Sequence, residues 1–269
     1  MFSPVPLSLI CKANAYLHSF LFLHILFLFL QGFKPTFHIQ YGGKNSTQGY
    51  IGYQSNINAI VVSFRGTEDV KNWATDLTAY RVHWPNCDDN EDDSDGGCSV
   101  HKGFYTAEQQ VINDVLSEVG SLLNQYPSYS VLCTGHSLGA ALATLTAFDI
   151  KDKFPSADVQ VFNYGSPRIF NQAGADYASS GIDVKIGARR THCKDIVIHQ
   201  PPEALGFVHV SNEIYEDCGA DGNGDVEGNL HDCSGEEDTS CADQYNGASI
   251  DCHLLYGGVV MGESGCDAV

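Results

Sequence analysis

One pentapeptide in the chain has the residue types and spacing to present a nucleophile: Gly135-His136-Ser137-Leu138-Gly139. A strand-like run ends just before it, and the small-residue stretch AALATLTAF follows at once. That context suits a sharp strand-to-helix turn, which lifts a serine hydroxyl above a sheet. The flanking glycines leave room for close packing of strand and helix, and the helix N-terminus aims backbone amides at a developing oxyanion.

A serine on such a turn needs a base, and the base needs a carboxylate to orient it; in strand–turn–helix architectures the chain order is Ser, acid, His. Asp195 follows a strand ending near Ala188 and precedes Pro201-Pro202, which suits an acid at the end of a strand. Asp183 begins a strand and Asp176 falls in a helix, so neither suits. The competing role for Asp195 is an ion pair with Arg189 or Arg190. Four histidines follow it: His199, His209, His231 and His253. His253 is favoured as base because it lies beyond a cysteine-rich stretch, where an anchored loop could hold an imidazole over Ser137. His209 is the alternative, although its alternation with Val208 and Val210 suggests a strand and an inward or capping role. His136, directed away along the turn, reads as packing.

The elements that must position these groups follow from periodicity. Residues 36–41, 48–54 and 58–64 read as hairpin-connected strands, and 70–77 as a short helix. Helical spacing of Val111, Val115, Leu116, Val119, Leu122 and Leu123 extends a helix over 104–123, stopped by Pro127. Strands over 129–133, 159–163 and 184–188 alternate with helices over 140–153 and 170–179, which implies an α/β fold with a mostly parallel sheet and helices on its faces. Between Cys87 and Cys98, seven of ten residues are Asp, Glu or Asn, which reads as a solvated loop closed by its own cysteines. Residues 216–248 read as further stapled loop.

Composition narrows the function class. A net charge of −19 over 269 residues disfavours a nucleic-acid partner and an anionic membrane surface. At 43% hydrophobic the chain can bury a sizeable core. The ten cysteines suggest an oxidising compartment. With Cys11 in the leader and Cys133 in a buried-looking strand, eight remain for up to four bridges, and none shows the Cys-x2-Cys spacing of a zinc knuckle. Residues 1–35 form an apolar leader whose 16–30 run fits a signal peptide better than a membrane anchor, the alternative, since a span needs about 20 residues. Residues 36–269 form the catalytic domain. The sequon Asn45-Ser46-Thr47 is consistent with export. Asp221-Gly222-Asn223-Gly224-Asp225 has the ligand rhythm of a calcium loop, but Val226 stands where that loop requires glycine, so it reads as a solvated acidic turn and no metal site is assigned.

Together these pieces resemble the class 3 (fungal-type) lipase family of α/β-hydrolases. The resemblance rests on Phe64-Arg65-Gly66-Thr67 with Asn72-Trp73 and Asp76-Leu77, Val100-His101-Lys102-Gly103-Phe104, the Ser137 pentapeptide, Asn163-Tyr164-Gly165-Ser166-Pro167-Arg168, Asp195-Ile196-Val197 with Pro201-Pro202, and His253-Leu254 with Tyr256. It implies an α/β-hydrolase fold, Ser137 as nucleophile, Asp195 as acid, His253 as base, and Thr67 and Leu138 as oxyanion donors. Residues 68–76 correspond to the family's lid, and Gly103, Pro167 and Arg168 to scaffold positions. Three departures stand out. The family's extra N-terminal helix has no counterpart here, which reads as a truncated N-terminus. Ile198 replaces a common proline, and Cys252 replaces a common aspartate, so that a disulfide would orient the base loop.

The expectation is a secreted ester hydrolase, foremost a triacylglycerol lipase, acting on lipid at an oil–water interface without metal, organic cofactor or obligate protein partner. A phospholipase A1, galactolipase or feruloyl-type esterase would use the same machinery. From another class, the alternative is a catalytically silent lipid-binding relative.

Overall fold

The computed structural model describes residues 32–42, 47–67, 70, 79–87, 97–218, 229–245, 249–257 and 259–261. Strands β1 (Phe33–Tyr41), β2 (Thr47–Gln54) and β3 (Ala59–Phe64) form the antiparallel start of an eight-stranded sheet. The run Ala59-Ile60-Val61-Val62-Ser63-Phe64 has no polar alternation because all six residues are buried. The short pair β4 (Arg81–His83) and β5 (Ser99–His101) stands apart from that sheet and leads into helices α1 (Lys102–Gln109) and α2 (Ile112–Gln125).

The chain then alternates: β6 (Ser130–His136), α3 (Leu138–Lys153), β7 (Val159–Tyr164), α4 (Gln172–Ser179) and β8 (Lys185–His192). Two further strands, β9 (Glu213–Glu216) and β10 (Leu230–Asp232), complete the order β1-β2-β3-β6-β7-β8-β9-β10. From β3 to β9 every pairing is parallel, which agrees with the expected α/β-hydrolase architecture. A four-residue helix, α5 (Ile250–His253), and the pair β11 (Leu255–Tyr256) and β12 (Val259–Val260) follow.

Helix α3 shows why a small-residue sequence was placed here. Eleven of its residues are buried, and nearly all are Gly, Ala, Thr or Leu, so the helix lies close against the strands. A Cβ at Gly139 would come within 2.3 Å of the Phe64 carbonyl oxygen, and one at Gly135 within 2.2 Å of Gly139. No side chain fits at either point. Asn163 of β7 locks the approach by donating to Ala140 O (2.9 Å) and Thr144 Oγ1 (2.7 Å). The aromatic centre of the core is Trp84, fully buried against Phe148, Phe170 and Tyr177.

Three expectations are corrected. The helix expected over 104–123 is two helices, broken at Gln110 and Val111. The break lets α1 turn the buried Glu108 toward Thr146 of α3 (3.2 Å), a polar contact invisible to apolar periodicity. The strand expected over 184–188 runs on to His192, because Arg189 and Arg190 are carried by buried partners, Glu213 and Glu216. Residues around His209 form no strand; Val208 makes only an isolated bridge to Phe170.

Cys87 and Cys98 are bonded, closing the acidic run as expected, while residues 88–96 themselves lie outside the described set. Cys193–Cys218 and Cys233–Cys241 are the other bridges among the described residues. Cys252 is in none of the three and is buried against Cys193 and Cys218. Residues 1–31 of the expected leader, Asn45 and Ser46 of the sequon, most of the calcium-like loop and Cys266 lie outside the described residues, whereas residues 33–35, placed in the leader, belong to β1.

Candidate active site

Ser137 occupies the turn between β6 and α3 with φ 58° and ψ −130°. A non-glycine residue in this region is strained, and such strain persists where neighbours over-determine it. Here the Ser137 amide donates to Tyr164 O (3.0 Å), and the flanking glycines allow the contacts that hold the turn. The chain leaving β3 runs directly alongside. A Cβ at Gly66 would lie 2.9 Å from His136 O and 3.2 Å from Ser137 Cβ, so Gly66 lets the segment carrying Thr67 meet the elbow. Thr67 is half-buried, and Leu138 is the first residue of α3.

Asp195 lies just beyond β8 and is fully buried. Its Oδ2 accepts from His253 Nδ1 (2.7 Å) and from Tyr256 Oη (2.6 Å), while Oδ1 accepts from the Val197 amide (2.7 Å). Burial alone would raise its pKa. The charge of His253 and these hydrogen bonds outweigh burial and bring the carboxyl below its ordinary value. The Asp195 and His253 segments are also tied through their backbones, since the Ser249 amide donates to Lys194 O (2.9 Å) and the Ser249 carbonyl accepts from the Ile196 amide (3.2 Å). The Ser249 side chain then caps α5, accepting from the Cys252 amide (3.0 Å).

His253 is fully buried, and with Nδ1 donating to Asp195 its Nε2 is left as acceptor. Among the described residues, His253 Nε2 and Ser137 Oγ are both buried without a hydrogen-bond partner. Space for the imidazole is made by Gly165, at φ +57° after β7, where a Cβ would lie 2.9 Å from His253 Cε1 and 3.0 Å from Tyr256 Oη.

The competing placements fall elsewhere. His209 donates from Nε2 to Ile198 O (2.7 Å), and burial holds it well below the usual imidazole range. His199 stands 3.6 Å from Asp243, and His231 is exposed on β10. Arg189 and Arg190 pair with Glu213 and Glu216, so neither supplies the ion pair weighed for Asp195. Of the segment read as a lid, only Val70 is described; it is buried against Val197.

His136 needs correction. It does not merely pack: its Nε2 lies 2.8 Å from His253 O, and its ring centroid is 4.3 Å from that of His253. Burial first, then the neighbouring His253, drives its pKa down to about 3, so it is neutral across any working pH. Tyr256 was part of the sequence pattern, but nothing in its spacing showed that it donates to Asp195.

Three groups of potential metal ligands occur among the described residues, and each has another engagement. Cys193 in one, and Cys233 with Cys241 in the second, are disulfide-bonded. In the third, Glu203, Glu237 and Asp243 surround the buried Arg168 guanidinium at 2.8–3.4 Å.

The secreted mono- and diacylglycerol lipase A of Penicillium cyclopium is 36% identical over 170 residues, covering 63% of this chain and 52% of that protein. The chain therefore spans about half the length of the curated relatives it matches. The solved Rhizomucor miehei triacylglyceride lipase superposes with a TM-score of 0.72 at 28% identity, covering 86% of this chain and 82% of the other. A second solved structure, described as a triacylglycerol lipase whose catalytic centre is a serine protease triad, gives a TM-score of 0.69 at 29% identity, with coverage of 86% and 82%. The family model for lipase (class 3) matches residues 61–205, more than half of the sequence, and on that match the chain belongs to the class 3 lipase family.

Proposed function

We propose that this chain is a secreted carboxylic ester hydrolase acting on acylglycerols, with Ser137 as nucleophile, His253 as general base and Asp195 as the acid that orients it. The observation that carries this reading is the strained Ser137 elbow at the start of α3 beside a fully buried His253–Asp195 pair. Ser137 Oγ attacks the ester carbonyl and gives its proton to His253 Nε2. Asp195, bonded to Nδ1, fixes the tautomer and stabilises the imidazolium. The backbone amides of Thr67 and Leu138 donate to the oxyanion. His253 then protonates the departing alcohol, and water deprotonated by the same imidazole releases the fatty acid from the acyl-enzyme. This route uses no metal or organic cofactor.

Acylglycerols are the favoured substrates because the similar proteins carry mono-, di- and triacylglycerol lipase names. Export is supported by the three bridges and by relatives named as secreted. Ser137→Ala should leave the fold intact and lower hydrolysis of emulsified acylglycerols on the order of 10⁶-fold. A folded Ser137→Ala protein with undiminished turnover would overturn the assignment. Wild-type turnover confined to phospholipid or galactolipid in a parallel assay would overturn the substrate class alone.

A further inference from the structure

The base sits at the end of α5, a helix of four residues with a scant core of its own. Carbonyls at the C-terminal end of a helix lack intrahelical partners and take donors from elsewhere. Two buried histidines meet consecutive carbonyls here. His136 Nε2 lies 2.8 Å from the carbonyl of His253, and His192 Nδ1 lies 2.9 Å from that of Cys252. A carbonyl only accepts, so each of these ring nitrogens carries the proton. One donor adjoins the nucleophile in sequence, and the other stands three residues before the acid.

We infer that His136 and His192 are positioning residues that clamp the base-bearing turn, tying His253 to the segment of Ser137 and to the segment of Asp195 at once. The inference rests on the reading of His253 as base. Each donor is held in place. The His136 ring lies against that of His253, with centroids 4.3 Å apart and the planes tilted by 32°. His192 closes the last position of β8, with its ring centroid 5.6 Å from that of Tyr256. The charged and titratable groups around the clamp are Asp195 from the acid loop, His253 and Cys252 from α5, Tyr256 from β11, Tyr164 from β7 and Glu216 from β9. His136 stays neutral among them and so adds no positive charge beside His253 when that imidazole is protonated.

The two clamps use different ring nitrogens, which provides a discriminating test. A glutamine amide nitrogen stands in for Nε2, and an asparagine amide nitrogen for Nδ1. The four variants His136→Gln, His136→Asn, His192→Asn and His192→Gln are compared on a soluble chromogenic ester. Rates are expressed per active site titrated to completion with a chromogenic organophosphate, which corrects for any unfolded fraction. The expected result is that His136→Gln and His192→Asn keep most of the wild-type kcat, while His136→Asn and His192→Gln lose roughly ten- to a hundredfold in kcat with KM within about twofold, as misplacement of a catalytic group predicts. Equal kcat for Gln and Asn at each position, or losses confined to KM, would overturn the clamp. Ser137→Ala, read on the same ester but expressed per mole of folded protein because it leaves no serine to titrate, separates the two ideas: activity retained there removes the assignment of the catalytic serine, whereas activity lost there with no Gln/Asn difference removes only the clamp.

Discussion

Asp195 Oδ2 serves two donors, and the second, Tyr256 Oη, is the shorter contact at 2.6 Å. A hydrogen bond to a buried charge contributes about 1.5–3 kcal/mol, so Tyr256→Phe should be felt without unfolding the protein. The sign follows from the depressed pKa of Asp195. A carboxyl whose folded pKa is lowered adds stability that is present above its unfolded pKa and is lost as pH falls through the folded value. Removing Tyr256 Oη moves that folded value back upward, so the acid-unfolding midpoint of Tyr256→Phe should rise relative to wild type, and kcat should fall with little change in KM. Circular dichroism along an acid titration checks the first effect, and an unchanged midpoint would mean that Tyr256 does not support the carboxylate. At this scale the sequence was informative where chemistry is written locally. Ser137 stands out through its flanking glycines and Asp195 through its place after a strand, while chain order alone left four histidines, of which His253 was favoured for lying beyond the cysteine-rich stretch. His136, His192 and Tyr256 did not declare their roles, because a donor's direction across 60 or more residues of chain leaves no local spacing to read.

Helices α1 and α3 meet through polar side chains inside a core that sequence periodicity treats as apolar. Glu108 is fully buried, with Oε1 accepting from Thr146 Oγ1 (3.2 Å), and Gln109 Nε2 bridges Glu108 Oε2 and Asp149 Oδ2 at 2.9 Å each. Burial, and then the charge of Asp149, push the Glu108 pKa well above its ordinary value; burial also raises Asp149. For acids with raised folded pKa values the stabilising contribution is complete below the unfolded carboxylate pKa, about 4, and is lost as pH climbs through the folded values. Glu108→Gln keeps the shape and removes the titration. Its Tm should therefore hold up better than that of wild type as pH rises from about 5 past neutrality. Calorimetry on both proteins over that range decides the matter, and parallel Tm curves would show that folding leaves the Glu108 pKa unshifted. The same residue explains why one expected helix is two. The heptad-like apolar run begins only at Val111, and the turn before it lets Glu108 reach Thr146, a demand that comes from tertiary packing. Helix α3 was legible because its small residues have one plain use, close approach to strands, which Gly135 and Gly139 confirm at the elbow.

Across the whole molecule, the sheet from β3 to β9 carries the core, while His253, the proposed base, arrives on short elements beyond it. Its order was readable from strand and helix patterns in alternation, since each helix returns the chain to a neighbouring parallel strand. The part after β9 was readable only as cysteine-rich loop, because its order depends on cross-links and buried ion pairs more than on periodic side chains. Arg168 with Glu237, Glu203 and Asp243 is one such anchor. The Cys193–Cys218 bridge is another, and it sits close to the proposed acid: Cys193 lies two residues before Asp195, its amide donates to Glu216 O (3.1 Å), and Cys252 of α5 forms one buried cluster with both bridged cysteines. A bridge closing a loop with a sequence separation of 25 adds about 3 kcal/mol, chiefly by restricting the unfolded chain. In a protein of this size that corresponds to roughly 6–12 °C in Tm. The double variant Cys193→Ser/Cys218→Ser should melt lower by that amount, and its activity should fall at temperatures where the β3–β8 core is still folded, since acid and base share the region the bridge secures. Calorimetry run beside ester hydrolysis over the same temperatures tests both statements. Coincident loss of activity and heat absorption would mean that the bridge stabilises the molecule as one unit, and an unchanged Tm would mean that the backbone pairing of β8 with β9 suffices to hold the acid in place.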